Sequence, residues 1–235
     1  MKSKPVFICY FKFTSYNRNM KLVPFEVNTG NKNMQIDKEL LENAIKSQSK
    51  EPVFRFYGWS PKCVSVGRNQ KSDFIDKIFL KKHGIDLVKR LTGGRALLHD
   101  KELTYSYVCP ASMLKQGDSI MGSYREIAQI FIEQFKKIGI ELEISTKHHI
   151  HTERNYCMML ATGADLCYKG KKLIGSAQFR KEGYILQHGS ILFDYDKELL
   201  EKIFKEKVDT DYVTCMKEIN SDISIVDILH LWDNI

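Results

Sequence analysis

RLTGGRALLHD, residues 90–100, separates two apolar segments, Ile85–Val88 and Leu103–Cys109, that read as strands. Two adjacent glycines, Gly93 and Gly94, allow a sharp turn and a close backbone approach to a ligand, because no Cβ stands in the way. Arg90, Arg95 and His99 carry donors suited to an acyl carbonyl or a phosphate, and Thr92 adds a hydroxyl. A glycine pair alone is an ordinary turn. Between two strands and among these side chains, it reads as a binding loop.

Outward from this loop the chain alternates strands and helices. Pro5–Phe13 reads as a strand and Thr14–Asn33, rich in Asn, Lys and Gly, as a loop or irregular insertion. Met34–Gln48 has apolar residues at Ile36, Leu40, Leu41, Ala44 and Ile45, the spacing of an amphipathic helix. Pro52–Trp59 and Cys63–Gly67 read as strands joined by a short turn at Ser60 and Pro61, and Phe74–Lys82 as a short helix closed by Gly84. Gly122–Ile138 repeats apolar residues at three- and four-residue steps, with Ser123 and Glu126 as a capping box and Gly139 as a stop. Glu141–Ser145 reads as a short strand. Ala164–Tyr195 is strand-like, with hairpin turns at Tyr168–Lys171 and Lys181–Gly183; helices follow at Lys197–Phe204 and Ile223–Trp232. The expected class is α+β: a mixed sheet with flanking helices, in one domain over residues 1–235 with a short helical tail at about 205–235.

Composition narrows the function. With 43% hydrophobic and 28% charged residues in 235, the chain suits a soluble globular domain. No apolar run is long enough to span a bilayer, and Lys12 breaks the N-terminal apolar run, so neither a membrane span nor a signal peptide is expected. The six cysteines, Cys9, Cys63, Cys109, Cys157, Cys167 and Cys215, form no C-x-x-C pair, which favours reduced thiols in the cytoplasm. A net charge of +7 suits a lysine-rich surface or an acidic protein partner. The basic residues are scattered without a nucleic-acid-binding signature, so no nucleic acid is expected. KHHIH, residues 147–151, holds three histidines without an acidic or thiol partner at a familiar ligand spacing, so no metal site is expected there.

A second segment, KLIGSAQFRKEGYILQHGSIL, residues 172–192, places Gly175, Ser176, Ala177 and Gln178 in one ribbon and His188 and Gly189 in the next. A mid-strand glycine weakens packing but admits a ligand. Cys157 precedes this ribbon in NYCMML, fifteen residues before Lys172. A free thiol has a pKa of about 8.5, and a nearby ammonium favours the nucleophilic thiolate. By residue type alone, any one of the cysteines is more readily a buried inert thiol.

The set RLTGGRALLHDKELTYSYV, a cysteine, and KKLIGSAQFRKEGYILQHGSIL resembles the biotin/lipoate protein ligase superfamily over about residues 34–204. Within it, the chain looks most like the cysteine-dependent octanoyltransferases that modify the glycine cleavage H protein. The resemblance implies that family's catalytic-domain fold, with Cys157 as nucleophile and Lys172 as its activator. It implies substrate contacts at Arg90, Thr92, Gly93, Gly94, Arg95, His99, Gly175, Ser176, Ala177, Gln178, His188 and Gly189. Acyl carrier protein would donate an octanoyl group to a lysine of a lipoyl domain, without cofactor or metal, and the enzyme would act as a monomer. The chain departs from the resemblance at Met158–Gly163, which lacks an expected proline, and in the polar stretch 14–33. The resemblance also implies a further small helical segment beyond Ile235. Three alternatives remain: an ATP-dependent lipoate–protein ligase, an amidotransferase between lipoyl domains, and a non-catalytic carrier-binding protein.

Overall fold

In a computed structural model, residues 9–12, 19–145, 156–159, 163 and 165–232 are described. In chain order the elements are β1 (Cys9–Lys12), β2 (Asn19–Asn28), α1 (Gly30–Lys46), β3 (Val53–Trp59), β4 (Cys63–Val66), α2 (Lys77–Lys82), β5 (Asp86–Lys89), β6 (Leu97–His99) and β7 (Glu102–Pro110). There follow α3 (Ile120–Lys136), β8 (Glu143–Ile144), β9 (Leu166–Tyr168), β10 (Lys171–Lys181), β11 (Tyr184–Leu192), α4 (Lys197–Phe204), α5 (Met216–Ile219) and α6 (Ile225–Trp232). The strands form an eight-stranded sheet, β1-β2-β3-β7-β11-β10-β9-β8, and a three-stranded sheet, β5-β4-β6. The large sheet is antiparallel except where β2 meets β3, so the expected mixed sheet with flanking helices is what forms.

Side chains alternate across a strand, and in the large sheet the two faces carry different chemistry. Phe54, Phe56, Leu103, Tyr105, Ile185 and Ile191 face α3 and α6 and form the main core. Trp232 of α6 stacks on Phe54 and meets Phe56 edge-on, with ring centroids at 5.5 and 4.8 Å. The opposite face carries Arg55, Tyr57, Thr104, Ser106, His188 and Ser190, which share register across β3, β7 and β11. Alternation of this kind ordinarily marks a solvated face. Here α1 crosses that face and also touches β5 and β4 of the small sheet, so the polar residues are buried.

Burial of polar groups is costly unless each is paired. Arg55 pairs with Asp37 of α1 at 3.0 Å and donates to Asn33 Oδ1 at 2.6 Å, while Tyr57 donates to Asp37 Oδ2 at 2.8 Å. Burial pushes the Asp37 carboxyl toward neutrality, but His188, Arg55 and Tyr57 outweigh it and hold its pKa below the ordinary value. Removing one partner of a buried pair of this kind costs about 3–5 kcal/mol. The network fastens α1 onto the sheet beside the glycine loop.

Four expectations shift. The stretch 14–33 holds β2 and the first turn of α1. Pro24 sits where the β2–β3 register slips, between Val23 and Glu26, a place where a strand tolerates proline. Helix α1 therefore begins at Gly30, capped by Thr29, and its buried line is Gly30, Asn33, Asp37, Leu41 and Ala44, with Ile36 and Leu40 half-buried. Helix α3 is capped by Ser119, whose Oγ accepts from the Gly122 amide; Ser123 lies inside the helix, and Glu126 accepts from the Lys115 and Gln116 amides. Strand β6 and the short helix α5 were not foreseen. Both hairpin turns form where expected, with positive φ at Lys169, Gly170, Glu182 and Gly183. Among the described residues no helix is long and apolar enough to cross a membrane. The KHHIH segment lies outside the described residues.

Candidate active site

The glycine loop is held from both sides. Gly94 adopts φ +89°, a backbone that favours glycine, and its carbonyl packs so tightly on Gly67 that a Cβ there would collide with it. The Arg68 amide donates to the Thr92 carbonyl at 2.8 Å, and the Arg90 amide to Val66 at 2.9 Å. The Arg90 guanidinium donates to the Ser65 carbonyl and hydroxyl at 2.9 and 2.7 Å, and to the Gly93 and Arg95 carbonyls at 3.0 and 2.9 Å. Both terminal nitrogens are thus engaged by protein oxygens, so Arg90 braces the loop. Burial lowers its pKa from the ordinary value, with the Cys157 thiolate acting in the opposite sense.

Two histidines are fixed in the same way. His99 Nδ1 lies 3.0 Å from Glu102 Oε1, and His99 Nε2 lies 2.7 Å from Ser65 Oγ. A carboxylate only accepts, so Nδ1 carries the proton and Nε2 accepts from the Ser65 hydroxyl. The His99 ring stacks on Trp59 at 3.8 Å between centroids. Burial lowers the His99 pKa despite the Glu102 carboxylate, which keeps the ring neutral near pH 7. His188 is held between Asp37, 3.2 Å from Nδ1, and Thr92 Oγ1, 2.6 Å from Nε2.

The thiol comes to this loop from a distant part of the chain. Cys157 begins a single 3-10 turn, and its amide donates to the Ala96 carbonyl at 2.8 Å. Lys172, on β10, sends Nζ to the Cys157 carbonyl at 3.1 Å and to Asp165 Oδ2 at 3.0 Å. Both charged side chains are 2% exposed. Burial works against the Lys172 ammonium, but Asp165 and the Cys157 thiolate outweigh it and raise its pKa above the ordinary lysine value. Gly175 makes room for this arrangement: a Cβ there would stand 2.9 Å from Lys172 Cε, 3.2 Å from Nζ and 3.4 Å from Met158 Sδ.

These parts surround a pocket of about 430 Å³ of empty space, open mouth included. Arg90, Gly94, Arg95, His99, Cys157, Gly175, Ser176, Ala177, His188 and Gly189 line it. Thr92 and Gln178 are bonded behind the wall, to His188 and to Ser123 and Gln187 respectively, and Gly93 is exposed outside it. Lys172 lies beneath Gly175. Sequence reasoning missed Met34, Tyr57, Trp59, Ser65, Leu97, Thr104 and Ser190 as lining residues, and Asp165 as the partner of Lys172. For Asp165 the signal was present: an acidic residue at the head of the apolar run Leu166–Tyr168. Cys157 is half-buried, whereas Cys63, Cys109, Cys167 and Cys215 are fully buried. Burial pushes the Cys63 and Cys215 thiols up and Cys167 to about 11.

Comparison with known proteins places this geometry. The octanoyltransferase LipM of Geobacillus kaustophilus is 40% identical over 182 residues, covering 74% of this chain and 65% of that protein. LipM of Staphylococcus aureus is also 40% identical, over 192 residues, covering 76% and 68%. The chain thus spans about two thirds of the length of these curated relatives. Among solved structures, lipoate-protein ligase A bound with ATP superposes with a TM-score of 0.71 at 23% identity, over 89% of this chain and 81% of that one, a likeness of fold. The model of the lipoyl protein ligase A/B catalytic domain matches residues 29–231, and the chain belongs to that family.

Proposed function

We propose that this chain is an octanoyltransferase of protein lipoylation that works through a thioester on Cys157. The Cys157 thiolate attacks the carbonyl carbon of an octanoyl thioester on acyl carrier protein, and the carbonyl electron pair moves onto oxygen. Collapse breaks the carbon–sulfur bond to the carrier, whose thiolate takes up the proton that Cys157 released. The ε-amine of a lysine on a lipoyl domain, such as glycine cleavage H protein, then attacks the octanoyl-cysteine. It loses a proton, expels the Cys157 thiolate and leaves as the amide. The donor thioester is already activated, so the balance requires no nucleotide and no metal.

The observation that carries this reading is the position of Cys157. Of the cysteines whose side chains are described, it alone lines the pocket. The Ala96 carbonyl holds its amide and the Lys172 ammonium holds its carbonyl, while Arg90 lines the same pocket. Cations fixed before substrate arrives favour a thiolate and the negative charge of an attacked carbonyl. The curated relatives named octanoyltransferase favour octanoyl as the group transferred. The net charge of +7 suits acidic donor and acceptor proteins, and a free nucleophilic thiol suits the reducing cytoplasm.

The test is direct. Incubation with octanoyl-acyl carrier protein adds one octanoyl mass to the peptide that contains Cys157, and Cys157→Ser abolishes the adduct. An unlabelled wild-type protein, or release of pyrophosphate from ATP with octanoate in the absence of any thioester donor, would overturn the proposal in favour of an adenylating ligase.

A further inference from the structure

The polar face of the sheet leaves one pocket atom without a partner. Buried side-chain nitrogens and oxygens with no hydrogen-bond partner among the described residues are Ser106 Oγ, Arg180 Nε, Ser190 Oγ and Trp232 Nε1, and of these residues only Ser190 lines the pocket. Ser190 is 2% exposed. A buried hydroxyl left unpaired lowers stability, so its persistence at a pocket wall needs a reason.

Register supplies the reason. Ser190 on β11 stands directly opposite Gly175 on β10 and, on its other side, opposite Thr104 on β7. The Thr104 hydroxyl is already committed, accepting from Trp59 Nε1 at 2.7 Å and donating to Glu102. On the Gly175 side, the position of the missing Cβ is 3.2 Å from Lys172 Nζ. Directly opposite Cβ positions in an antiparallel pair are about 4.5–5.5 Å apart. Ser190 and the open Gly175 position therefore share the pocket face of the sheet, with the Lys172 ammonium beside the latter.

We infer that Ser190 is a substrate-contacting residue, donating a hydrogen bond from Oγ to the carbonyl oxygen of the bound acyl group. The inference rests on the acyl-thioester reading of the pocket and adds a second donor to the Lys172 side of it. A hydroxyl held within the sheet is preorganised: no strand has to move for it to meet the charge that grows on that oxygen when the thiolate attacks.

The test separates a carbonyl contact from packing. In a Cys157→Ala background, which cannot be acylated at that position, binding of S-octanoyl-N-acetylcysteamine is compared by calorimetry with its carbonyl-free thioether, S-octyl-N-acetylcysteamine. Ser190→Ala weakens the thioester about fivefold to tenfold, the size of one lost hydrogen bond, and leaves the thioether unchanged. Ser190→Thr, which keeps the hydroxyl, retains most of the thioester affinity. Equal effects of Ser190→Ala on both ligands, or no effect on either, would overturn the assignment and leave the acyl pocket standing. Binding of neither ligand to the Cys157→Ala protein would overturn the acyl pocket and the Ser190 contact together.

Discussion

Replacing Gly175 by alanine tests whether Lys172 must sit where it does. The added carbon would lie 2.9 Å from Lys172 Cε and 3.2 Å from Nζ. Carbon atoms pack at about 3.5–4.0 Å, so Cε must retreat by roughly 0.6 Å or more. Lys172 has little slack for this. Its Nζ is 3.0 Å from Asp165 and 3.1 Å from the Cys157 carbonyl. N–H···O bonds fade beyond about 3.2 Å, so the shift stretches at least one of the two past useful length. Overpacking at a buried site costs about 1–3 kcal/mol. At roughly 2–4 °C per kcal/mol for a domain of this size, Tm falls by about 2–12 °C. The displaced ammonium also moves relative to the thiol, and a misplacement of about 1 Å can cost on the order of 100-fold in rate. Differential scanning fluorimetry reads the first effect and single-turnover acylation of Cys157 the second. Gly93→Ala sets the stability baseline, because its Cβ would meet nothing within 4 Å. If Gly175→Ala melts with that baseline and acylates at the wild-type rate, Lys172 has neither the tight seat nor the role assigned to it.

Two further outcomes follow from the buried charges. Lys172→Ala leaves Asp165 without its ion-pair partner and costs about 3–5 kcal/mol in urea unfolding; it also slows alkylation of Cys157 by iodoacetamide at neutral pH, and an unchanged alkylation rate would remove Lys172 from thiol activation. His99, whose pKa burial lowers, is neutral when folded and takes up a proton when unfolded, so its contribution is complete above pH about 6.5 and is lost as pH falls below that value. His99→Gln therefore flattens the fall in stability as pH drops below about 6.5, by up to about 1.4 kcal/mol per pH unit, read from urea midpoints; an unchanged slope would refute the assignment of the neutral ring.

What the sequence revealed of this site, and what it hid, follows from one feature of strands. Period-two alternation in Glu102–Tyr107 announces a strand with a polar side, and a single chain read residue by residue assigns that side to water. Helix α1 and the small sheet lie on it instead, a fact of long-range packing with no local signature. Hence the glycine loop and the Gly175 and Gly189 ribbons were legible, because glycine placement is a local demand of the backbone. Ser190, Thr104 and Ser65 were not, because each acquires its role only from a neighbour on another strand. Helix α1 illustrates the same limit: its apolar spacing identified the helix, yet Asn33 and Asp37, polar residues on the buried line, are the ones that bind it to Arg55.

That burial of a polar face explains how the site can be firm and reactive at once. Each of the carboxylates Asp37, Glu102 and Asp165 is tied to a basic side chain (Asp37 to Arg55 and His188, Glu102 to His99, Asp165 to Lys172), and Arg90 to Ser65, so these charges and dipoles are fixed before a substrate enters. Fixed dipoles do not have to reorganise as charge develops, which is where such groups gain most over water. The cost is an interior that tolerates few changes: each partner removed exposes another buried charge. The Ser190 hydroxyl stands outside this mutual satisfaction, and a pocket atom left unpaired among so many paired ones is where an incoming carbonyl oxygen would find its donor.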